Sequence, residues 1–204
     1  MIPRLIVLVS GSGSNLQALI NATQDGSLTA EIVLVVSNRQ AAYGLERARQ
    51  AGIETLYFRL KPYRIAGESR EEYDADLAAI LKKYEPDLIV LSGWMHVFSP
   101  AFLDQFPRQV INLHPALPGQ FDGVGTIRRA YEAYQRGEIN HTGCIVHYAV
   151  PEVDAGPVAA QTIIHFREGE SLDDFELRMH AAEHKLIVRA TQKALAELSD
   201  DSEP

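Results

Sequence analysis

The stretch Leu5-Ile6-Val7-Leu8-Val9-Ser10-Gly11-Ser12-Gly13-Ser14-Asn15-Leu16 decides the fold, because it leads from an apolar strand through a glycine loop into a helix. A continuous apolar run is typical of a strand that is covered on both faces. The alternation continues along the chain: strands are predicted at 5–10, 32–37, 54–58, 88–92 and 110–114, and helices at 15–22, 43–51, 70–83 and 100–106. This pattern predicts an α/β fold, a doubly wound, mostly parallel sheet with flanking helices.

The pattern changes after residue 114. Residues 115–125 contain two prolines and three glycines and are predicted to form an irregular loop. A helix is predicted at 127–136, and two strands at 144–150 and 158–164 that form an antiparallel addition to the sheet. Ser171 with Asp174 resembles a helix cap and begins a last helix at 172–198. We therefore expect one domain over 1–198 and a disordered acidic tail over 199–204.

Composition narrows the class of protein. The 204 residues are 46 % hydrophobic and 23 % charged, which is typical of a soluble globular chain with a full core. A net charge of −8 provides no basic stripe for nucleic acid. The single cysteine, Cys144, excludes an intrachain disulfide and lies in an apolar run. With no signal peptide and no bilayer-length apolar run, we expect a cytoplasmic protein with no membrane partner, either a monomer or a homodimer.

The glycine loop favours an anionic ligand. Glycines let the backbone approach a ligand closely, and the free N–H groups at a helix start attract an anion. A dinucleotide loop would need a glycine where Leu16 stands, and an ATPase loop would need Gly-Lys-Ser/Thr, which is absent. The loop is therefore interpreted as a cradle for a monophosphate, with a plain strand-to-helix turn as the alternative.

A second motif, Asn112-Leu113-His114-Pro115, ends the fifth predicted strand, and Asp154 follows in the next loop region. Alternation along a strand places Asn112 and His114 on one face, and Pro115 ends the strand. An Asn can donate a hydrogen bond to a developing oxyanion, a His can shuttle a proton, and an Asp can hold that His in its charged form. The alternative is a strand-end His that bonds a backbone carbonyl.

Together these motifs resemble those of the glycinamide ribonucleotide formyltransferases, folate-dependent enzymes of purine synthesis. The resemblance extends from about residue 5 to residue 187. It is carried by 10–17, 43–49, 69–73, 92–95, 112–115 and 154–157. It implies a Rossmann-related, formyltransferase-like fold whose N-terminal half binds the ribonucleotide phosphate and whose C-terminal part completes the folate site.

The resemblance also implies site residues. The catalytic group is Asn112, His114 and Asp154. The ribonucleotide site is Gly13, Ser14, Asn15, His180, Ala181, Ala182 and Glu183. The folate site is Arg70, Met95, His96, Val97, Phe98, Asn112, Val150, Pro151, Glu152, Val153 and Asp154.

The implied reaction is formyl transfer from 10-formyltetrahydrofolate, as co-substrate, to the amine of 5'-phosphoribosylglycinamide, without metal or nicotinamide. Asn112 and a protonated His114, kept charged by Asp154, would stabilise the tetrahedral oxyanion. Two departures concern the folate pocket: the loop that begins Pro115-Ala116-Leu117-Pro118-Gly119 is one residue shorter than is usual, and His96 stands where the family often has Arg.

Four alternatives stay open. His180-Ala181-Ala182-Glu183-His184 matches the His-x-x-Glu-His pattern of inverted zinc peptidases. A 10-formyltetrahydrofolate hydrolase would use the same Asn, His and Asp with water as acceptor, but that family carries an N-terminal regulatory domain. A methionyl-tRNA formyltransferase would add a basic C-terminal domain. A phosphate sensor without catalysis would have no need for oxyanion donors.

Overall fold

The structure, a computed structural model, describes residues 1–200 and contains one seven-stranded sheet in the order β3-β2-β1-β4-β5-β6-β7. The strands are β1 Arg4–Val9, β2 Glu31–Ser37, β3 Thr55–Tyr57, β4 Leu88–Leu91, β5 Val110–His114, β6 His141–Tyr148 and β7 Val158–His165. The first five strands pair in parallel, and β6 and β7 add antiparallel. The predicted doubly wound sheet with an antiparallel C-terminal addition is confirmed.

Seven helices flank the sheet in the described part of the chain. They are α1 Ser14–Gln24, α2 Tyr43–Gln50, α3 Lys61–Ala66, α4 Arg70–Lys82, α5 Pro100–Leu103, α6 Thr126–Gln135 and α7 Leu172–Asp200. Two capping predictions can be checked directly. Ser69 and Glu72 form a reciprocal capping box at α4, and Ser171 Oγ accepts a hydrogen bond from the Asp174 amide, 3.1 Å away.

Three elements of the structure differ most from the prediction. Helix α3 was not predicted, because it buries no residue and so leaves no apolar period in the sequence. Strand β6 begins at His141 rather than 144, and residues 149 and 150 lie in the following loop. Helix α7 continues through Asp200, so Ser199 and Asp200 are helical rather than part of a tail. The rest of the predicted tail, 201–204, lies outside the described residues.

The strands bury both of their faces. Leu5, Val7 and Val9 of β1 belong to one apolar cluster, together with residues of α1, α2 and α7. Ile6 and Leu8 belong to a second cluster on the other face, with residues of α4 and α5. Successive side chains of a strand point to opposite faces, which is why a continuous apolar run fits this two-sided burial.

The strand order reverses beside β1, which lies between β2 and β4. Ser10, directly after β1, makes hydrogen bonds that connect the loops after β1, β2 and β4. Its amide donates to the Gly93 carbonyl (3.0 Å), and its hydroxyl donates to Oδ1 of Asn38 (2.8 Å) and accepts from the Met95 amide (2.9 Å). Open α/β sheets bind ligands in the crevice at such a reversal. No helix in residues 1–200 combines the length and the apolar character needed to cross a bilayer.

Candidate active site

Asn112 and His114 project from the sheet face that carries the second apolar cluster. Val110, two residues earlier on β5, is part of that cluster, and the alternation of the strand places Asn112 and His114 on the same side. His114 is 5 % exposed, whereas Asn112 is partly exposed. The predicted polar pair therefore lies where the apolar layer ends.

The loop between β6 and β7 brings Asp154 to this pair by folding back against the end of β6. The Tyr148 amide donates to the Pro157 carbonyl (2.9 Å), which closes the loop at its base. A Cβ atom at Gly156 would overlap the carbonyl oxygen of Tyr148, so only glycine fits this close approach. Asp154 itself has a left-handed backbone with a φ of 53°. In this position its Oδ2 lies 3.3 Å from Nδ1 of His114.

Asp154 joins the three predicted catalytic residues into one cluster. Its Oδ1 accepts a hydrogen bond from Nδ2 of Asn112 at 3.3 Å, and its Oδ2 accepts one from the Gly123 amide at 3.2 Å. The Gly123 contact comes from the loop that follows His114. The cluster is thus held by two loops and one strand.

His147 is a further member of the cluster, although the sequence motifs do not include it. It pairs with Asn112 across β5 and β6, and its Nε2 lies 3.1 Å from Nδ2 of Asn112. Its Nδ1 lies 3.0 Å from the Tyr148 carbonyl, which can only accept, so a neutral His147 carries its hydrogen there and accepts from Asn112. The strand register that brings the two together has no signature in the sequence.

Burial lowers the pKa of His114 below its ordinary value, although the charges of Asp154 and Asp122 oppose the shift. For Asp154, burial favours the neutral form, but the neighbouring His147 and His114 rings and the hydrogen bond from the Gly123 amide together lower its pKa. Both shifts favour a neutral imidazole beside an ionised carboxylate. The direction for His114 runs against the expectation that Asp154 keeps this ring protonated, since burial outweighs the carboxylate.

The neutral form of His114 has a definite chemical capacity. A carboxylate only accepts hydrogen bonds, so Nδ1 of His114 carries the proton that faces Asp154. Nε2 is then an acceptor, and it is buried with no hydrogen-bond partner in the described structure. An unpaired buried nitrogen of this kind can take a proton from a reacting group.

The glycine loop meets α7 at a second group of predicted residues. Glu183 is 4 % exposed, and its Oε2 accepts from Nδ2 of Asn15 (3.2 Å) and lies 2.9 Å from Nδ1 of His180. This hydrogen bond raises the pKa of His180, which favours its cationic form. The Oδ1 atom of Asn15 is buried without a partner among the described residues. The structure therefore brings together the two segments predicted for the ribonucleotide.

A close contact between two glycines shapes the loop. Gly13 precedes α1 with a φ of 71°, and a Cβ on it would lie 2.6 Å from the Cα atom of Gly44 on α2. The Gly44 amide donates to the Gly11 carbonyl at 3.1 Å, and Nε of Arg47 donates to the Ser12 carbonyl at 2.8 Å. These contacts with α2 hold the glycine loop in place.

The predicted folate residues divide into two groups. Met95 and Val97 are exposed, as are Pro151, Glu152 and Val153, while Val150 is partly exposed. His96 and Phe98 instead point into the second apolar cluster, where Phe98 stacks on Phe102 with ring centroids 3.7 Å apart. Their side chains therefore do not form a surface for a ligand, contrary to the simplest expectation.

The zinc alternative can be tested against ligand geometry. Within residues 1–200, one group of three His, Cys, Asp or Glu side chains has its potential metal-ligand atoms within 4.8 Å of one another. It consists of His114, Asp122 and Asp154. The side chains of the His-x-x-Glu-His motif do not form such a group in that range, so the motif has no geometric support as a metal site.

Comparisons with known proteins show the family of this chain. The model of the formyl transferase family matches residues 3–191. Phosphoribosylglycinamide formyltransferase of Schizosaccharomyces pombe is 45 % identical over 97 % of this chain and 99 % of its own length. The Escherichia coli enzyme of the same name is 39 % identical over 89 % of this chain and 82 % of its own.

Among solved structures, glycinamide ribonucleotide transformylase 1 from Symbiobacterium toebii superposes with a TM-score of 0.87 at 35 % identity, covering 96 % of this chain and 89 % of that one. The family model and these relatives extend over the sheet, the glycine loop and the Asn112 cluster alike. The chain therefore belongs to the formyl transferase family.

Proposed function

We propose that this protein transfers the formyl group of 10-formyltetrahydrofolate to the amine of 5'-phosphoribosylglycinamide, a step of de novo purine synthesis. The relatives named above support the choice of substrates. The structural observation that carries the proposal is the single cluster formed by Asn112, His114 and Asp154. We further propose that residues 1–200 act as one domain in the cytoplasm, without a nucleic-acid or membrane partner.

The chemistry begins with attack of the neutral amine on the formyl carbon. A C–N bond forms, the carbonyl electron pair moves to oxygen, and the attacking nitrogen becomes positively charged. Nδ2 of Asn112 carries two hydrogens, which bond Asp154 and His147 in the resting protein, so we infer that one of them turns to the oxyanion as it forms. One such donor typically contributes about 10²–10³ in rate.

His114 moves the proton. In the resting protein its Nε2 accepts no hydrogen bond in the described structure, so we infer that this nitrogen takes the proton from the attacking amine. The resulting imidazolium then donates that proton to N10 of folate as the C–N10 bond breaks. Charges and protons balance, and the imidazole returns to its neutral state. No metal or nicotinamide takes part in this scheme.

Asp154 acts through His114. Burial disfavours the imidazolium, and the adjacent ionised carboxylate offsets this cost when His114 becomes charged. The carboxylate also holds Nδ1 in its protonated form, which keeps Nε2 available. Since the Gly123 amide and Asn112 both donate to Asp154, the carboxylate is fixed before the substrate binds.

We assign the two substrates to opposite sides of this cluster. The phosphate fits the start of α1 at Gly13, Ser14 and Asn15, where free amides attract an anion. Glu183 would accept a hydrogen bond from a ribose hydroxyl, and its neighbours from His180 onward would lie against the ribonucleotide. Folate would lie along Met95, Val97 and the 150–154 loop, whose exposed apolar side chains suit a flat pterin. Arg70 would meet its charged tail.

The decisive experiment follows folate deformylation by absorbance, with and without the ribonucleotide. Deformylation that depends on the ribonucleotide is the expected result. Deformylation with water alone would replace the transferase with the hydrolase, and no deformylation in either assay would reject both. The Asp154→Asn variant, which is expected to be strongly impaired, is measured beside the wild type.

A further inference from the structure

Asp74 and His96 form a buried pair outside the proposed catalytic cluster. Asp74, on α4, is fully buried, and His96, in the loop after β4, is 9 % exposed. Oδ1 of Asp74 lies 2.6 Å from Nε2 of His96. Its other oxygen accepts from both the amide and the hydroxyl of Ser99, each at 2.7 Å. The pair therefore ties α4 to residues 96–99.

Aromatic rings enclose the His96 imidazole. Tyr73 and Phe98 meet it edge to face at centroid distances of 5.2 and 5.3 Å, and Trp94 lies 6.4 Å away. An imidazole held in this way cannot turn toward a ligand in the neighbouring cleft. His96 therefore does not replace, by direct contact, the Arg that the family often has at this position.

The second nitrogen of His96 faces Arg70. A carboxylate only accepts, so Nε2 of His96 donates to Asp74 and the neutral ring has an acceptor at Nδ1. Nη2 of Arg70 lies 3.4 Å from that Nδ1 and donates to the Val97 carbonyl at 2.9 Å. Both contacts use the same nitrogen, so Nε and Nη1 of the exposed guanidinium have no partner within residues 1–200.

We propose that Asp74 and His96 are positioning residues that hold Arg70 ready to bind a carboxylate of the glutamate tail of folate. This inference rests on the proposed function. With Nη2 engaged, the remaining Nε–H and Nη1–H groups point in different directions, and each offers a single charge-assisted hydrogen bond to a carboxylate. Fixing the guanidinium before binding removes the entropy cost of ordering a long side chain at the moment of binding. One prearranged Arg thus sets the preference for folates that carry glutamate.

The test compares two formyl donors. One is 10-formyltetrahydrofolate, and the other is its pteroyl amide analogue, in which an uncharged amide replaces the glutamate. We expect His96→Phe and Arg70→Ala each to raise KM for the folate by about tenfold, the loss expected for one charge-assisted contact, with little change in kcat. Neither should change KM for the amide. The Arg70→Ala/His96→Phe double variant should be no worse than Arg70→Ala.

Two further variants separate positioning from folding. His96→Gln keeps a donor for Asp74 but removes the ring nitrogen that faces Arg70, so it should lose the same discrimination even if His96→Phe does not fold. Ser99→Ala removes a bond to the far oxygen of Asp74 and should leave the discrimination unchanged.

Equal losses with both donors, or additive effects in the double variant, would overturn the positioning role. Wild-type protein that deformylates neither donor would instead overturn the proposed function, and the inference with it.

Discussion

Nδ1 of His114 lies 3.3 Å from Oδ2 of Asp154, while the opposite ring nitrogen is buried and lacks a hydrogen-bond partner within residues 1–200. The two nitrogens therefore have different tasks. One is held by a fixed carboxylate, and the other is available to a reacting group. This asymmetry supports the proposed role of His114 as a proton carrier.

Replacing Asp154 by Asn should reduce kcat by roughly 10²–10³, the size expected when one electrostatic contribution to a transition state is lost. Asn tolerates the left-handed backbone at this position, so the loop should keep its course. Steady-state kinetics and circular dichroism together provide the measurement. A folded variant with near wild-type kcat would remove Asp154 from the mechanism.

Asn112→Ala should lower kcat by about 10²–10³ and change the dissociation constants of both substrates little, because the oxyanion exists only after attack. The dissociation constants can be measured by calorimetry beside the rates. Asn140→Ala, which removes an amide that bonds only its neighbour His141 in the described structure, is the control. Weakened binding with unchanged kcat would assign Asn112 to ground-state binding instead.

The pH profile follows from the lowered pKa of His114. The neutral imidazole is the proposed active form of the free enzyme, so the His114 contribution to kcat/KM should be complete above that pKa and fall as pH drops through it, with a midpoint below the ordinary 6.5. The Asp154 charge raises this pKa, so Asp154→Asn should move the midpoint still lower. The substrate amine contributes equally to both profiles. A midpoint that moves upward in the variant would contradict the assignment.

Two glycines of the phosphate loop provide a matched pair. Gly13→Ala places a Cβ 2.6 Å from the Gly44 Cα atom at a φ of 71°, which should cost about 1–3 kcal/mol in stability and raise KM for the ribonucleotide. Gly11→Ala meets no atom within 4 Å and has no such φ, so its KM and melting temperature should stay close to wild type. Equal effects of the two substitutions would mean that the loop geometry does not govern phosphate binding.

The sequence predicts the sheet well, because each parallel strand of the first half is a short apolar run between turns. Prediction from the sequence fails where the buried residues of an element leave no hydrophobic periodicity in the sequence. Helix α3 buries nothing, and its Pro62 marks a helix start as readily as a break. The first residues of β6 include His141, Thr142 and Gly143, which do not form an apolar run although Thr142 and Gly143 are buried.

For the site, motifs predicted the members but not their contacts. The convergence of Asn112, His114 and Asp154 requires a loop that folds back at Gly156, and no local pattern shows where such a loop ends. His147 joins the cluster only because the register of β5 and β6 places it opposite Asn112. The neutral state of His114 depends on burial, which the sequence reveals only after the fold is known. The inward orientation of His96 and Phe98 has the same origin.

Asp154 has a further consequence, which lies in its backbone. A left-handed conformation at a non-glycine residue costs on the order of 1–3 kcal/mol. Asp154, which is proposed to act in the reaction, has this conformation. Glycine would adopt the same φ without this strain. Glycine at position 154 would relieve the backbone strain, but it would also remove the carboxylate and with it most of the proposed activity. The aspartate marks where activity and stability make opposite demands on one residue.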